Sequence, residues 1–340
     1  MQESRPFGRL SFAVRIIFVR RSYALPKGGE AVARLRGAAA LLFPVFFGAA
    51  LLFFPDVSAT AAREGVTLCL QTVLPSLFPF FVLSSLLVQS DVPRLLSRAM
   101  AGVMYPLFGV SGAGASALIL GLLGGYPVGA RTVAELYGRG EIAREEAEQL
   151  LAFCNNSGPG FFLGVCGTAV FGSARAGAYL YLIHVGAALV TGILLRRDLG
   201  LPRRKAVSRQ RAPFDLAAAL PAAVQGSFAA VGSVSAFVIF FMVLLRLLSL
   251  VPALAALPPL PRAALFGFVE MTNGVNALPA TRTGFVLCAA IMNWGGLSVQ
   301  AQTRAMLAGS ALSARRCVIG KAVQALAGVP LALLAAQRLF

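Results

Sequence analysis

Gly-Gly-Tyr-Pro-Val-Gly at residues 124–129 interrupts one apolar run, and Asn-Asn-Ser-Gly-Pro-Gly at 155–160 interrupts the next. Glu-Met-Thr-Asn-Gly at 270–274 and Asn-Trp-Gly-Gly at 293–296 break two further apolar runs in the second half. Inside a bilayer, backbone that leaves the helix is tolerated only where it is buried in protein or lines a wet cavity. Interruptions at corresponding places in two halves are therefore typical of the binding site of a transporter.

The composition around these interruptions is that of a membrane protein. Of the 340 residues, 58% are hydrophobic and 13% are charged, whereas globular proteins hold about 25% charged residues. Several apolar runs approach the roughly 20 residues that span a bilayer. We therefore predict an all-α polytopic membrane protein.

The net charge of +17 comes largely from two basic clusters. Eight Lys and Arg residues fall in 1–36 and seven in 196–211, and both clusters flank apolar segments. The positive-inside rule places such clusters in the cytosol, near anionic headgroups. No stacking aromatics are interleaved with the second cluster, so nucleic acid is not expected as a partner. The expected partners are the lipid bilayer and a small-molecule substrate, with a homo-oligomer left open.

The chain divides into two halves of similar pattern. The predicted order is a basic cytosolic extension (1–37), a first transmembrane helix (38–54), membrane repeat 1 (66–196), a basic cytosolic loop (197–215) and membrane repeat 2 (216–338). In each repeat a long apolar segment is followed by two broken spans and a plain span. We predict two structural repeats, inverted relative to each other, with discontinuous helices and re-entrant hairpins. Whether 66–88 and 216–250 cross once or turn back is left open.

The stretch 131–149 is the most polar part of the hydrophobic region. Its acids and arginines surround Gly-Arg-Gly at 138–140. The pattern predicts two short helices whose charged faces are solvated surface.

Glu270 is the candidate for ion coupling. It is the only acid after Asp215, in a part of the chain with eight Lys and Arg. A carboxylate at mid-span costs roughly 2.5–3.5 kcal/mol on insertion scales, so such a group is a functional hypothesis by default. With oxygen ligands from Thr272, it suits a coupling Na⁺ or H⁺. The alternative is a structural ion pair with an arginine. No other cofactor and no metal site are expected.

The remaining polar residues of the interruptions are the candidates for substrate binding. Glycine permits unusual dihedral angles, proline frees a carbonyl, and the half-helix that follows a break points its N–H groups into the gap. Such an end suits an anion or a carboxylate, and the alternative is a simple kink. The predicted substrate-binding residues are Gly124, Gly125, Tyr126, Asn155, Asn156, Ser157, Gly158, Asn273 and Asn293.

Three further residues have two interpretations each. Trp294, the only tryptophan, either stacks on a planar ligand or packs internally. His184, the only histidine, either relays protons or is simply packed. Arg131 either faces an anionic substrate or acts as a topology charge. The sequence contains no hydrolase triad, P-loop or paired-carboxylate site, so we do not expect an enzyme.

The motifs together resemble a known family. Leu-Pro-Ser-Leu-Phe-Pro-Phe at 74–80, Gly-Gly-Tyr-Pro at 124–127 and Asn-Ser-Gly-Pro at 156–159 are similar to the YlbJ-type sporulation integral membrane proteins, within the broader nucleoside-recognition (Gate) group. The 270–274 element also looks like the family's Glu-x-Thr-x-Gly element. The resemblance covers roughly 40–338.

The resemblance implies movement of dipicolinate from the mother cell across the outer forespore membrane during endospore formation. It also implies distant kinship with concentrative nucleoside transporters, whose substrates sit between two hairpins and two broken helices. A cation-coupled nucleoside transporter and a non-transporting structural protein of spore assembly are the alternatives. The residues by themselves predict a secondary carrier with a polar site at the midplane.

Overall fold

A computed structural model describes residues 30–200 and 214–340, without the side chains of 30–40, Thr72 and Ser76. Most of the predicted basic extension 1–37 and basic loop 197–215 lie outside these residues. The described residues form two compact units, divided after Phe53. The first unit is the helix α1 (Glu30–Phe53), which is apolar from residue 37 onward and stacks Phe43 on Phe47.

The second unit is built from helices and contains no strand among its described residues. Its helices are α2 (Pro55–Leu68), α3 (Leu74–Gln89), α4 (Val92–Phe108), α5 (Ala115–Gly124), α6 (Val128–Gly138), α7 (Arg144–Leu151), α8 (Ala174–Leu194), α9 (Leu216–Leu248), α10 (Pro252–Ala255), α11 (Pro259–Val269), α12 (Met271–Asn276), α13 (Arg282–Trp294), α14 (Gly296–Met306) and α15 (Arg315–Leu339). A π-turn (Cys69–Val73) joins α2 to α3, and a π-helix (Phe161–Val170) precedes α8.

The structure has the dimensions of a polytopic membrane protein. Four helical stretches of the described chain are long and apolar enough to cross a bilayer: α8, α9, α13 with α14, and α15. Two pairs of shorter consecutive helices would bring the number to six if each pair formed one span. Large apolar side chains such as Leu182, Phe228 and Leu326 are exposed, as expected for a surface that contacts lipid. The prediction of an all-α polytopic membrane protein is confirmed.

The two long segments whose course could not be decided from the sequence, 66–88 and 216–250, do not turn back. Helix α9 is one continuous helix of 33 residues. The α2–α3 segment runs antiparallel to it, since Gly65 contacts Ile239, and the Cys69 thiol bonds to the carbonyl of Ser235. The π-turn between α2 and α3 lies just before Pro75 and Pro79, residues that cannot donate a helical hydrogen bond.

Two sets of contacts define the ends of the second unit. At one end, called here the basic end, Arg316 donates to the Gln149 side chain (2.6 Å) and to the carbonyl of Leu195 (2.8 Å). At the other, called the aromatic end, the rings of Phe171, Phe285 and Phe340 lie 5.7–6.3 Å apart. Helices α8 and α15 each connect the two ends, in opposite directions.

Each half contains a hairpin and a broken helix. The first hairpin, α5–α6, opens at the basic end, where Gly114 contacts Leu150, and has its tip at 125–127. The second hairpin, α11–α12, has its tip at Glu270 and opens at the aromatic end, where Leu278 packs in one cluster with Phe285. The broken helices are α7 with the π-helix, interrupted at 152–158, and α13 with α14, interrupted at Gly295.

This arrangement corrects one part of the sequence prediction. Two broken spans were expected in each half, but the first interruption of each half is the tip of a hairpin. The arms are too short to cross, because the 10 residues of α5 and the 11 of α6 cover about 15–17 Å each at 1.5 Å per residue. The predicted discontinuous helices are present, and hairpins are present too, but at α5–α6 and α11–α12 and not at 66–88 or 216–250. The inverted relation of the two repeats stays a prediction, which the opposite openings of the hairpins support.

A second correction concerns the polar stretch 131–149. It does form two helices, α6 and α7, but its charged residues are not all solvated. Glu146 is 3% exposed and accepts a hydrogen bond from the backbone N–H of Ser111 (2.7 Å). The pattern does not reveal this, because the connection between α4 and α5, with Ser111, packs on a face of α7 that is polar in sequence.

Candidate functional site

The tip of the first hairpin lies against the break of the first broken helix. Gly125 has a φ of 82°, and a Cβ there would lie 3.0 Å from the backbone nitrogen of Gly158. One turn away on either side, Gly121 and Gly129 leave no room for a Cβ beside the carbonyl of Cys154. Glycine at these positions lets two backbones approach in a way that any side chain would prevent.

The second half repeats this contact. A Cβ on Gly296, which has a φ of 83°, would lie 3.0 Å from the carbonyl oxygen of Val269 and 3.1 Å from the Cα of Glu270. The Trp294 indole N–H donates to the carbonyl of Phe268 (2.9 Å), and the two rings stack at 5.2 Å. Trp294 therefore packs internally on one face, in agreement with the second of its two interpretations.

Tyr126 connects the hairpin–break contact of the first half to that of the second half. Its hydroxyl donates to the carbonyl of Met292 (3.3 Å), and a Cβ on Gly295 would lie 3.3 Å from the same hydroxyl. All four interruptions predicted from the sequence therefore meet in one region, midway between the basic and the aromatic end.

A buried lysine lies at this meeting point. Lys321 of α15 is completely buried, and its ammonium group donates to the hydroxyl of Tyr126 (3.2 Å), to Asn156 Oδ1 (3.2 Å) and to Gln324 Oε1 (2.7 Å). The ammonium also lies 5.0 Å from the centre of the Tyr126 ring. These contacts use the three N–H donors that a lysine has.

The lysine belongs to a hydrogen-bonded cluster, which we call the Lys321 cluster: Tyr126, Asn156, Ser157, His184, Lys321 and Gln324. Gln324 Nε2 donates to Asn156 Oδ1 (3.1 Å) and to the carbonyl of His184 (3.3 Å). His184 Nε2 accepts the backbone N–H of Ser157 (3.1 Å), at the break of the first broken helix. His184 therefore anchors this break and is not simply packed.

The charge of Lys321 has no acidic partner. None of the ion pairs in the described part of the chain includes it, and its three acceptors are neutral oxygens. A buried charge is normally paired, because removing it from water costs several kcal/mol even after relaxation. An unpaired ammonium at the meeting of four breaks is a site that can attract an anion.

Asn155 and Asn293 serve the same region in different ways. Asn155 accepts the backbone N–H of Ala130 (3.4 Å) and donates to Thr303 (2.8 Å), so it connects the first hairpin to α14. Asn293 donates to its own helix at Ala289 (2.8 Å) and faces Gly328. Its buried Oδ1 has no hydrogen-bond partner among the described residues, and the same holds for Ser298 Oγ and Gln300 Oε1. The second break thus has free acceptors for a ligand or water.

Glu270 is engaged locally. The residue is 8% exposed. Its carboxylate accepts hydrogen bonds from the backbone N–H groups of Thr272 (3.0 Å) and Asn273 (2.8 Å) and from the Asn273 side-chain amide (2.8 Å). It is the N-cap of α12. Glu270 forms no ion pair with an arginine among the described residues. Its structural role, the alternative to ion coupling, is therefore that of a helix cap and not that of an ion pair.

The predicted residues thus divide into four groups. Tyr126, Asn156 and Ser157 belong to the Lys321 cluster. Gly125 and Gly158 provide the close approach of the backbones, and Gly124 lies beside them against the side chain of Val128. Asn155 and Asn293 flank the cluster. Glu270, Thr272 and Asn273 form a separate group at the tip of the second hairpin. No group of three His, Cys, Asp or Glu side chains that could hold a metal ion occurs among the described residues.

Lys321 and Gln324 were missed by the sequence analysis, which counted Lys321 only among the basic residues. A usable signal exists, because Lys321, Gln324 and Gly328 recur at i, i+3 and i+7 on one face of an otherwise apolar helix. A polar stripe on a spanning helix indicates that this face is turned toward the protein interior.

Comparison with known proteins assigns the chain to a family. Residues 70–245, more than half of the chain, match the family described as nucleoside recognition (Gate). The sporulation integral membrane protein YlbJ of Bacillus subtilis (strain 168) is 29% identical over 302 residues, which cover 78% of this chain and 74% of that protein. No solved structure matches. By the extent of the family match, the chain belongs to the nucleoside-recognition (Gate) family.

Proposed function

We propose that the protein is a secondary transporter that acts in endospore formation and moves a small planar anion, dipicolinate, across the outer forespore membrane. The similarity to a sporulation integral membrane protein supports the cellular role. The single observation that carries the choice of an anion is the buried ammonium of Lys321, which has only neutral acceptors. In this proposal the N-terminal extension and the 197–215 loop are cytosolic.

The chemistry of the site fits a carboxylate. A contact between an ammonium and a carboxylate adds the attraction of two opposite charges, which a contact with a neutral oxygen lacks. A carboxylate that entered the cluster would therefore replace Asn156 or Gln324 as the acceptor of Lys321. Helix α14 begins beside the cluster at Gly296, and its first N–H groups add positive potential at the second break.

In this proposal an anion exchanges with the present acceptors of Lys321. The Tyr126 hydroxyl and Asn156 Oδ1, both from the interrupted segments of the first half, accept hydrogen bonds from the ammonium. Binding would exchange these contacts and loosen the hairpin tip from α15. That exchange is the step by which we propose that substrate binding is coupled to movement.

Ion coupling is proposed to act through Glu270 and Thr272, with Na⁺ or H⁺ as the coupling ion. The carboxylate holds the start of α12 through N–H donors. A proton or a sodium ion on the carboxylate would compete for the same oxygens, so the second hairpin would respond to the ion while the first responds to the anion.

The experiment that tests the proposal is uptake into proteoliposomes with purified protein. We expect saturable uptake of dipicolinate that excess uridine or adenosine does not compete away. Lys321→Met should lower uptake by at least about 30-fold, since loss of one partner of a buried charge contact costs about 2–5 kcal/mol. Lys321→Arg should retain part of the activity. Arg262→Gln, which removes an exposed charge from α11, is the matched control and should transport normally.

The alternatives make different predictions in the same assay. The family description favours a nucleoside carrier, for which uridine would be transported and dipicolinate would not compete. A structural protein of spore assembly would transport neither compound. In that case a deletion strain complemented with Lys321→Met would accumulate dipicolinate in its spores normally, which would end the transporter proposal.

A further inference from the structure

A cavity of about 500 Å³ lies beside the arm of the first hairpin that leads from its tip to the basic end. Helix α6, helix α9 and the segment that follows α14 line it, with Arg131, Glu135, Ser233, Met306 and Ser310 among the lining residues. Its volume is within the range of about 300–1,000 Å³ that is usual for ligand sites. Arg131 and Glu135 are its only charged lining residues in the described part of the chain.

Arg131 is held in place from three directions. Its Nε donates to Glu135 Oε1 (2.9 Å), its Nη1 donates to the hydroxyl of Ser227 in α9 (3.3 Å), and its guanidinium carbon lies 5.2 Å from the centre of the Phe81 ring in α3. The side chain is 11% exposed. A guanidinium has five donors and binds a carboxylate best through two parallel hydrogen bonds, whereas here Glu135 receives only one.

Glu135 is correspondingly under-satisfied. Its Oε2 is buried and has no hydrogen-bond partner, and no other carboxylate in the described residues has an oxygen in that condition. Leaving a buried charged acceptor unpaired is unfavourable, because its hydrogen bonds to water are lost and not replaced. The Arg131–Glu135 pair is therefore a partial match, which a better placed carboxylate could replace.

We infer that this cavity is a second binding site, for a small carboxylate, and that Glu135 is a place-holder that the ligand displaces from Arg131. A ligand carboxylate in the cavity can accept hydrogen bonds from two donors of the guanidinium. Glu135 accepts only one, because it is attached to the same helix as Arg131, four residues further along. The Ser233 and Ser310 hydroxyls lie at the same cavity and can bind a second acidic or polar group.

The location gives the site a role in the proposed transport. Arg131 lies five residues beyond Tyr126, on the arm that runs to the basic end. A carboxylate that approaches from this end would meet Arg131 before it reached the Lys321 cluster. The role as an entry site rests on the proposed function, but binding itself does not, so the test is made without transport.

The test uses the full chain in detergent and a cysteine placed in the cavity. All five native cysteines are buried, so a Ser233→Cys variant can be alkylated selectively with a maleimide. Dipicolinate and benzoate should slow alkylation, and uridine, which lacks a carboxylate, should not. Ala256→Cys, exposed after α10 and far from the cavity, is the control position, and its alkylation should be unaffected by all three compounds.

Four further substitutions in the Ser233→Cys background decide the mechanism. Glu135→Gln removes the competitor and should lower the protecting concentration by about 10-fold. Arg131→Gln should abolish protection. Arg131→Lys keeps the charge but not the two parallel N–H donors, so it should weaken protection. Lys321→Met should leave protection unchanged, even if it eliminates uptake.

Each outcome bears on the inference. Protection that is not improved by Glu135→Gln would overturn the place-holder role, and this result does not depend on whether Arg131→Gln folds. Protection lost in Lys321→Met would mean that the carboxylate binds only at the midplane cluster. Equal protection by uridine would show that the cavity does not recognise a carboxylate.

Discussion

At the scale of the residue, the site depends on one charge and its neutral acceptors. Lys321 is buried without an acidic partner, and its shortest hydrogen bond, 2.7 Å, goes to Gln324 Oε1 one turn further along the same helix. The buried charge is tolerated because every ammonium donor has a hydrogen-bond acceptor. The ammonium can still attract an anion, because none of those acceptors is charged.

Gln324→Glu converts this acceptor into an internal counter-ion. We expect a higher melting temperature, because the buried ammonium of Lys321 would gain a charged counter-ion in place of a neutral acceptor. We also expect dipicolinate uptake to fall to background, since the anion would have to compete with a tethered carboxylate. Gln337→Glu, at an exposed position of the same helix α15, is a control with the same change of charge. Uptake that survives Gln324→Glu would contradict the role of the Lys321 charge.

Gly125→Ala tests the close approach at the tip of the first hairpin. A side chain there would be strained by the φ of 82° and would crowd the backbone of Gly158. We expect destabilisation by about 1–3 kcal/mol, measured as a lower melting temperature in detergent. Gly102→Ala in α4, where nothing lies within 4 Å of the added Cβ, should be neutral or slightly stabilising. Equal effects of the two substitutions would argue against a tight crossing.

At the scale of the element, the two hairpins differ in what holds their tips. The first tip is held through Tyr126, which contacts Met292 and Lys321. The second tip is held through Glu270, which caps the six-residue helix α12. A helix this short has little stability of its own, so the cap decides whether it forms. The second hairpin is therefore the element that is most sensitive to the state of one carboxylate.

Glu270→Gln keeps one oxygen acceptor of the cap but removes the charge. If Glu270 couples an ion to transport, uptake by this variant should lose its dependence on Na⁺ or on pH, whichever the wild type shows. The measurement is proteoliposome uptake across several pH values and sodium concentrations. Asp215→Asn, which changes the exposed cap of α9 in the same way, should keep the ion dependence of the wild type. Unchanged ion dependence in Glu270→Gln would remove it from the mechanism.

At the scale of the whole molecule, the hairpins open toward opposite ends of the second unit. This geometry predicts that the connections of the hairpins face opposite sides of the membrane. Cysteines introduced by Arg139→Cys and Asp198→Cys should react with an impermeant maleimide from the same side, and Ala280→Cys from the other. Inside-out and right-side-out vesicles distinguish the sides. Labelling of all three variants from one side would rule out the inverted arrangement of the repeats.

Sequence reasoning found the places where the helices break. Glycine, proline and asparagine act on the backbone within a few residues, so the interruptions at 124–129, 155–160, 270–274 and 293–296 could be recognised from local chemistry alone. It did not separate a hairpin tip from a break in a crossing helix. That difference depends on whether the following segment packs back on the preceding one, which local sequence does not encode.

The sequence by itself therefore determined the membrane class, the helical content and the positions of the breaks, because composition and backbone preferences are local properties. The tertiary structure alone decided which polar groups meet. Lys321 contacts Asn156 and Tyr126 across 165 and 195 residues, and Glu270, the most conspicuous acid in the sequence, caps a helix away from that cluster. The physical reason is that a buried charge is defined by its neighbours in space, which only the packing of α15 against the first hairpin and the first broken helix brings together.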